Sequence, residues 1–163
     1  MFDYLKKLGT SDLVVVSPDL GGLKMAAAYS QILRAELAIV AKQRKSPTET
    51  EAISLIGEIE GRNVLMVDDL TETAGTLVSA AALLKSRGAR QIRACVSHAL
   101  LNELGIQRLR NSAIDELITT DSVTRPSLNG VNITTLSVAG LLGEAIQRIH
   151  TNSSVTSLFE FKG

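Results

Sequence analysis

The sequence has a single cysteine, no tryptophan, and only two tyrosines and three phenylalanines. Cys95 alone excludes an intramolecular disulfide. It lies in the run Arg93-Ala94-Cys95-Val96, where it reads as a small buried hydrophobe rather than a reactive thiol. With aromatics at 3% of a chain that is 45% hydrophobic, the core has to be built from Leu, Ile, Val and Ala. An excess of charge is missing too: 17 Lys+Arg stand against 17 Asp+Glu, a formal net charge of zero. That balance gives no global attraction to nucleic acid or to an anionic membrane, so neither is expected as a partner, and any phosphate must be recognised locally. No apolar run reaches the length of a membrane span, and Met1–Lys7 does not have the form of a signal peptide. A cytoplasmic protein of a reducing compartment is expected. There are no repeats and no low-complexity tract, and 163 residues suit one domain, 1–163.

What is present is a rhythm. Six short runs read as strands: Leu13–Ser17, Leu37–Lys42, Asn63–Asp68, Gln91–Val96, Glu116–Thr120 and Val131–Leu136. Four are almost continuously apolar, as strands buried on both faces should be. Helical patterns lie between several of them. Leu77, Ala81 and Leu84 share one helix face, and Gly88 is placed to end that helix in a left-handed conformation. Val138, Leu142, Ala145 and Ile149 form a similar stripe near the end of the chain. Alternation of strand and helix predicts an α/β fold, a mostly parallel sheet flanked by helices on both faces. Two segments break the pattern: the polar Gln43–Glu51, expected to be mobile, and Thr124–Gly130.

The most informative stretch runs Val64-Leu65-Met66-Val67-Asp68-Asp69-Leu70-Thr71-Glu72-Thr73-Ala74-Gly75-Thr76. An apolar strand ends in two carboxylates, and a loop of small and hydroxyl residues opens a helix. Gly75 and Ala74 let backbone amides approach an anion, and the helix adds its positive end. Thr73 and Thr76 can donate hydrogen bonds to phosphate oxygens. Asp68 and Asp69 can accept from ribose hydroxyls at the carboxyl end of the strand, where open α/β sheets bind ligands. The plain alternative is an acidic strand end followed by an ordinary helix N-cap, Thr73.

The whole string resembles the phosphoribosyl-pyrophosphate-binding signature of the type I phosphoribosyltransferase fold. The surroundings resemble more narrowly the C-terminal domain of ribose-phosphate pyrophosphokinases. Val14-Val15-Val16-Ser17-Pro18-Asp19-Leu20-Gly21-Gly22 is similar to its opening strand and turn, and Lys42-Gln43-Arg44 to the start of its mobile catalytic loop. Asn111-Ser112 and the ending Ser154-Val155-Thr156-Ser157-Leu158-Phe159 fit the same pattern. The similarity extends over nearly all of the chain.

The resemblance implies a reaction: the C1 hydroxyl of ribose 5-phosphate attacks the β-phosphorus of MgATP, giving phosphoribosyl pyrophosphate and AMP. It implies that residues 71–76, including Glu72, hold the 5-phosphate, that Asp68 and Asp69 hold the ribose, and that Lys42 and Arg44 neutralise the transferring group with magnesium. It places Asp19 near a second metal site, and Ser154, Thr156 and Phe159 in a regulatory phosphate or nucleotide site. It also implies a homo-oligomer, and a missing N-terminal half that supplies much of the ATP site. Each role has a plain counterpart: a solvated basic loop for Lys42 and Arg44, a simple turn for Asp19, a packed tail for the last group. His98 and His150 lack neighbours at metal-ligand spacing. Glu72 stands where the family usually has aspartate, Met25 near a usual arginine, and Gln43 inside a usual basic run. A phosphoribosyltransferase, or a non-catalytic subunit that kept the fold, are the competing functions.

Overall fold

A computed structural model describes residues 1–9, 11–43, 52–124 and 130–159. In chain order these form α1 (Phe2–Lys7), β1 (Leu13–Ser17), α2 (Leu23–Leu33), β2 (Glu36–Gln43), β3 (Ala52–Ile56) and β4 (Asn63–Thr71). There follow α3 (Gly75–Ser86), β5 (Gln91–Ala99), α4 (Glu103–Arg110), β6 (Glu116–Thr120), β7 (Ile133–Leu136), α5 (Ala139–His150) and a 3₁₀ turn, Thr156–Leu158. One seven-stranded sheet runs through them in the order β3-β2-β1-β4-β5-β6-β7. Every pairing is parallel except β2 with β3.

The continuous apolar runs are explained by two packed layers. Side chains alternate across a strand, so Val14, Val16, Val64, Met66, Ala94 and Val96 face one core layer, while Leu13, Val15, Leu65, Val67 and Cys95 face the other. The first layer is covered by Leu77, Ala80, Ala81 and Leu84 of α3 and by Ile106 and Leu109 of α4. The second is covered by Leu5 of α1 and by Ala26 and Leu33 of α2. Cys95 is buried in this layer, as its apolar run implies. The α3 helix ends as expected. Gly88 takes φ +84°, its amide donates to Lys85 O, and the amide of Ala89 donates to Leu84 O.

The strands β4 and β5 each run three residues beyond their expected ends, to Thr71 and Ala99, so that Asp68 and Asp69 lie within β4 rather than at its close. Three further features depart from expectation. The strand β3 lies just beyond the polar segment, where none is predicted, and pairs antiparallel at the sheet edge. The last strand is shorter than Val131–Leu136. The third concerns α5, which forms over the expected stripe but buries none of its residues. It follows the edge strand β7, and Leu142 and Ile149 stay 54% and 67% exposed. A polar cluster ties α1 to the sheet instead: Tyr4 and Thr134 hydroxyls donate to Glu116 Oε1, and Arg93 Nε sits 3.0 Å from Oε2. Burial alone would raise the Glu116 pKa, but these donors and the Arg93 charge outweigh it and hold it below the ordinary carboxylate value.

Candidate functional site

The chain leaves β1 to one side toward β2 and later returns to β1's other side as β4, so the sheet order reverses between β1 and β4. Carboxyl ends of strands at such a reversal leave a crevice, the usual ligand position in open α/β sheets. Two cavities occupy it. One, of about 460 Å³, is lined by Asp19, Gly21, Gly22, Lys24, Met25, Asp68 and Asp69. The other, of about 470 Å³, is lined by Pro18, Asp19, Val40, Thr73, Gly75, Thr76 and Arg108, among others. Asp19 borders both.

Asp69 is exposed and Asp68 half-buried, and no ion pair among the described residues involves either. Asp68 Oδ1 accepts from the Asp69 amide at 3.0 Å. Burial raises the Asp68 carboxyl to about 6; the Asp69 amide opposes this, and the charges of Asp19 and Asp69 add to it. A carboxyl with a raised pKa in a cleft is a candidate for a functional site.

The loop after β4 has a geometry that suits an anion. The residue preceding α3 is Ala74, in the left-handed conformation at φ 53°, ψ 14°, with no side-chain cap on the helix. Thr73 is therefore not the N-cap that the plain reading requires. A left-handed residue followed by helical ones turns successive amides to one side, and an uncapped helix leaves its first amides free for an outside acceptor. Ala74 is a non-glycine at positive φ, a conformation that costs about 1–2 kcal/mol. Its methyl is buried in the first core layer, which holds it there. The Thr73 and Thr76 hydroxyls are exposed on the cavity and have no hydrogen-bond partner among the described residues.

A wall missed by sequence reasoning supports this loop from behind. The amides of Leu100 and Asn102 donate to Thr71 O and Glu72 O, and Arg108 Nη1 donates to Thr73 O. The helix α4 approaches so closely that a Cβ on Gly105 would fall 2.4 Å from Glu72 O. Nothing in the local sequence of residues 100–108 marks this contact, because its partners are some thirty residues earlier.

Of the other expected site residues, Asp19 uses Oδ1 to accept from the amides of Gly21 and Gly22, at 2.8 and 3.1 Å. It is thus a turn residue that also faces the crevice. Among the described residues its second oxygen has no hydrogen-bond partner. Glu72 is exposed and lines neither cavity. Lys42 is the penultimate residue of β2, at the same end of the sheet as Asp19, and Arg44 lies outside the described residues. Ser154 and Thr156 bond to each other, and Arg148 donates to Ser154 O and to Ser157 Oγ. Phe159 is 75% exposed. None of the three tail residues lines the crevice. His98 bonds to Ser122 Oγ at 2.7 Å. Among the described residues no three carboxylate, imidazole or thiol groups converge as a metal cage, and no helix is long and apolar enough to cross a membrane.

Comparison with known proteins places this architecture. The phosphoribosylpyrophosphate synthetase of Mycobacterium smegmatis, of solved structure, superposes with a TM-score of 0.85 at 28% identity, covering 93% of this chain and 50% of that one. The ribose-phosphate pyrophosphokinase of Synechocystis is 45% identical over 161 residues, 98% of this chain and 48% of its own length. The chloroplastic ribose-phosphate pyrophosphokinase 2 of Arabidopsis thaliana is 45% identical over 98% of this chain and 41% of its own. The chain therefore spans about half the length of the curated relatives it matches. A purine phosphoribosyltransferase of Pyrococcus horikoshii shares the fold at 19% identity and a TM-score of 0.50. The model of the phosphoribosyl synthetase-associated domain matches residues 43–160, and with most of its length inside that match the chain belongs to this family.

Proposed function

We propose that this chain is the ribose 5-phosphate-handling half of a ribose-phosphate diphosphokinase. The observation that carries the reading is the junction of β4 and α3, where two accessible carboxylates border a cavity next to an uncapped helix end formed by a left-handed Ala74. In this reading the amides at the start of α3 and the hydroxyls of Thr73 and Thr76 hold the 5-phosphate. Asp68 and Asp69 accept hydrogen bonds from the ribose hydroxyls and so fix the ring, leaving its C1 hydroxyl directed at the β-phosphorus of ATP. Lys42 and Arg44 are assigned the positive charge that the transferring diphosphoryl group requires. Glu72 contributes through its backbone rather than its carboxylate, since its carbonyl anchors α4.

The donor set also fits magnesium of the kind that travels with a nucleotide. Such an ion takes one or two carboxylates and completes its shell with waters and phosphates, so a preformed cage is not needed. Asp19 and Asp68 would supply the carboxylates, and the ion would supply Lewis-acid neutralisation of the phosphates.

Because the chain matches half of each relative, ATP turnover is assigned to its combination with a second domain, and a homo-oligomer is the expected assembly. The test is twofold. Calorimetric titration should show ribose 5-phosphate binding to this chain alone, with Asp69→Asn reducing it. An AMP-release assay with ATP and ribose 5-phosphate should show little or no turnover. Binding of a nitrogenous base together with phosphoribosyl pyrophosphate would instead support a phosphoribosyltransferase, and binding of no sugar phosphate or nucleotide would leave a non-catalytic subunit.

A further inference from the structure

The crevice contains an electrostatic shortfall. A phosphate monoester carries about −1.5 to −2 charges at neutral pH, whereas a helix N-terminus offers roughly +0.5. Asp19 adds a carboxylate to the same cavity. Hydrogen bonds from amides and hydroxyls satisfy the oxygens' lone pairs but leave more than one charge uncompensated. Among the described side chains lining this cavity, Arg108 is the one cation.

Its placement is not that of a random surface arginine. Arg108 stands in the last turn of α4, and its Nη1 donates to Thr73 O at 3.1 Å, within the anion loop itself. A guanidinium has five donors, and this bond uses one. Among the described residues no carboxylate pairs with it. The guanidinium lies close to the first residue of α3: a Cβ on Gly75 would be 3.2 Å from Arg108 Nη1. Gly105, one turn earlier on α4, has no side chain to keep the helix away from Glu72 O. Two glycines on two elements thus let one cation reach the start of α3.

We infer that Arg108 is the side-chain cation of the 5-phosphate cavity, fixed to the loop by the Thr73 carbonyl and offering its remaining donors to the phosphate monoester. The inference rests on the ribose 5-phosphate reading and adds to it a residue outside the β4–α3 motif. The guanidinium does two separable things: one N–H holds the loop, and its charge meets the ligand.

The experiment titrates the full chain with ribose 5-phosphate and compares wild type with Arg108→Lys, Arg108→Gln and Arg108→Met, with thermal unfolding measured on each. Arg108 is exposed, so all three variants should melt near the wild-type temperature. Gln can still donate to the Thr73 carbonyl but carries no charge, whereas Lys keeps the charge. The expected result is an affinity loss of about tenfold or more for Gln and Met, with Lys retaining most of the affinity. Wild-type affinity in Arg108→Gln would overturn the charge role while leaving the ribose 5-phosphate reading intact. If wild type itself binds no ribose 5-phosphate, both fall together.

Discussion

Asp68 sits in the crevice at a cost to the fold. Its carboxyl is raised to about 6, chiefly by burial, with Asp19 and Asp69 adding like charge; the exposed Lys24 is the only cation lining that cavity among the described residues. An acid with a folded pKa above its unfolded one is protonated more readily in the native state. Stability therefore falls as pH rises from about 4 to about 6, and the full cost is present above that window. Asp68→Asn removes the cost yet keeps an Oδ1 to accept from the Asp69 amide. After discounting for solvent screening, the variant should gain about 1 kcal/mol at pH 7.5, some 2–4 °C in melting temperature. The gain should vanish at pH 4, while ribose 5-phosphate binding weakens at pH 7.5. Melting curves at the two pH values check this, and an Asn variant less stable than wild type at pH 7.5 would contradict it. The paired aspartates were legible in the sequence because their motif is contiguous. Arg108 and Gly105 were not, since each acts on a loop about thirty residues away and neither stands in a motif of its own.

Among the elements, periodicity identified strands and helices but not what covers them. The strand β1 lies where its apolar run places it, because a strand buried on both faces is apolar at nearly every position. The short edge strand β3 has only one strand neighbour, directly follows a polar segment, and carries no turn signal to set it apart. The helices α3 and α5 make the contrast sharper. Both run for twelve residues and carry an apolar stripe, yet Leu84 is fully buried and Ile146 is 67% exposed. A stripe records that a face is apolar, and only tertiary structure shows whether anything lies on it. The consequence is measurable by urea unfolding. Leu84→Ala should cost about 2–5 kcal/mol through lost transfer energy and an unfilled cavity. Ile146→Ala should stay within about 0.5 kcal/mol, since it removes little buried surface. Equal costs for the two would mean that α5 is packed in solution against something the chain alone does not show.

At the scale of the whole molecule, the site is a product of topology as much as of motif. Asp19 comes from the β1–α2 turn, Asp68 and Asp69 from the C-terminal half of β4, the residues 73–76 from the loop that opens α3, and Arg108 from α4. Only the parallel order with β1 beside β4 brings these ends to one crevice. A sequence shows each piece but not that they share a cavity, which is why the two layers of the core and the site were recognisable separately and their junction was not. The crevice also has a cost distributed over the fold: like charges at Asp19, Asp68 and Asp69, and a left-handed Ala74. A ligand that brings donors to those carboxylates and an acceptor to the helix amides relieves these terms together. On the proposed reading ribose 5-phosphate binds the folded chain and not the unfolded one, so at a hundredfold excess over its dissociation constant it should add about 2.7 kcal/mol of stability. For a chain of this length that is a rise of roughly 5–10 °C in melting temperature. Unphosphorylated ribose, which leaves the α3 amides and Arg108 without an anion, should produce a much smaller shift at the same concentration. A thermal scan with the two sugars side by side measures the difference. Equal shifts from both would mean that the amides at the start of α3 and the Arg108 charge do not recognise the phosphate.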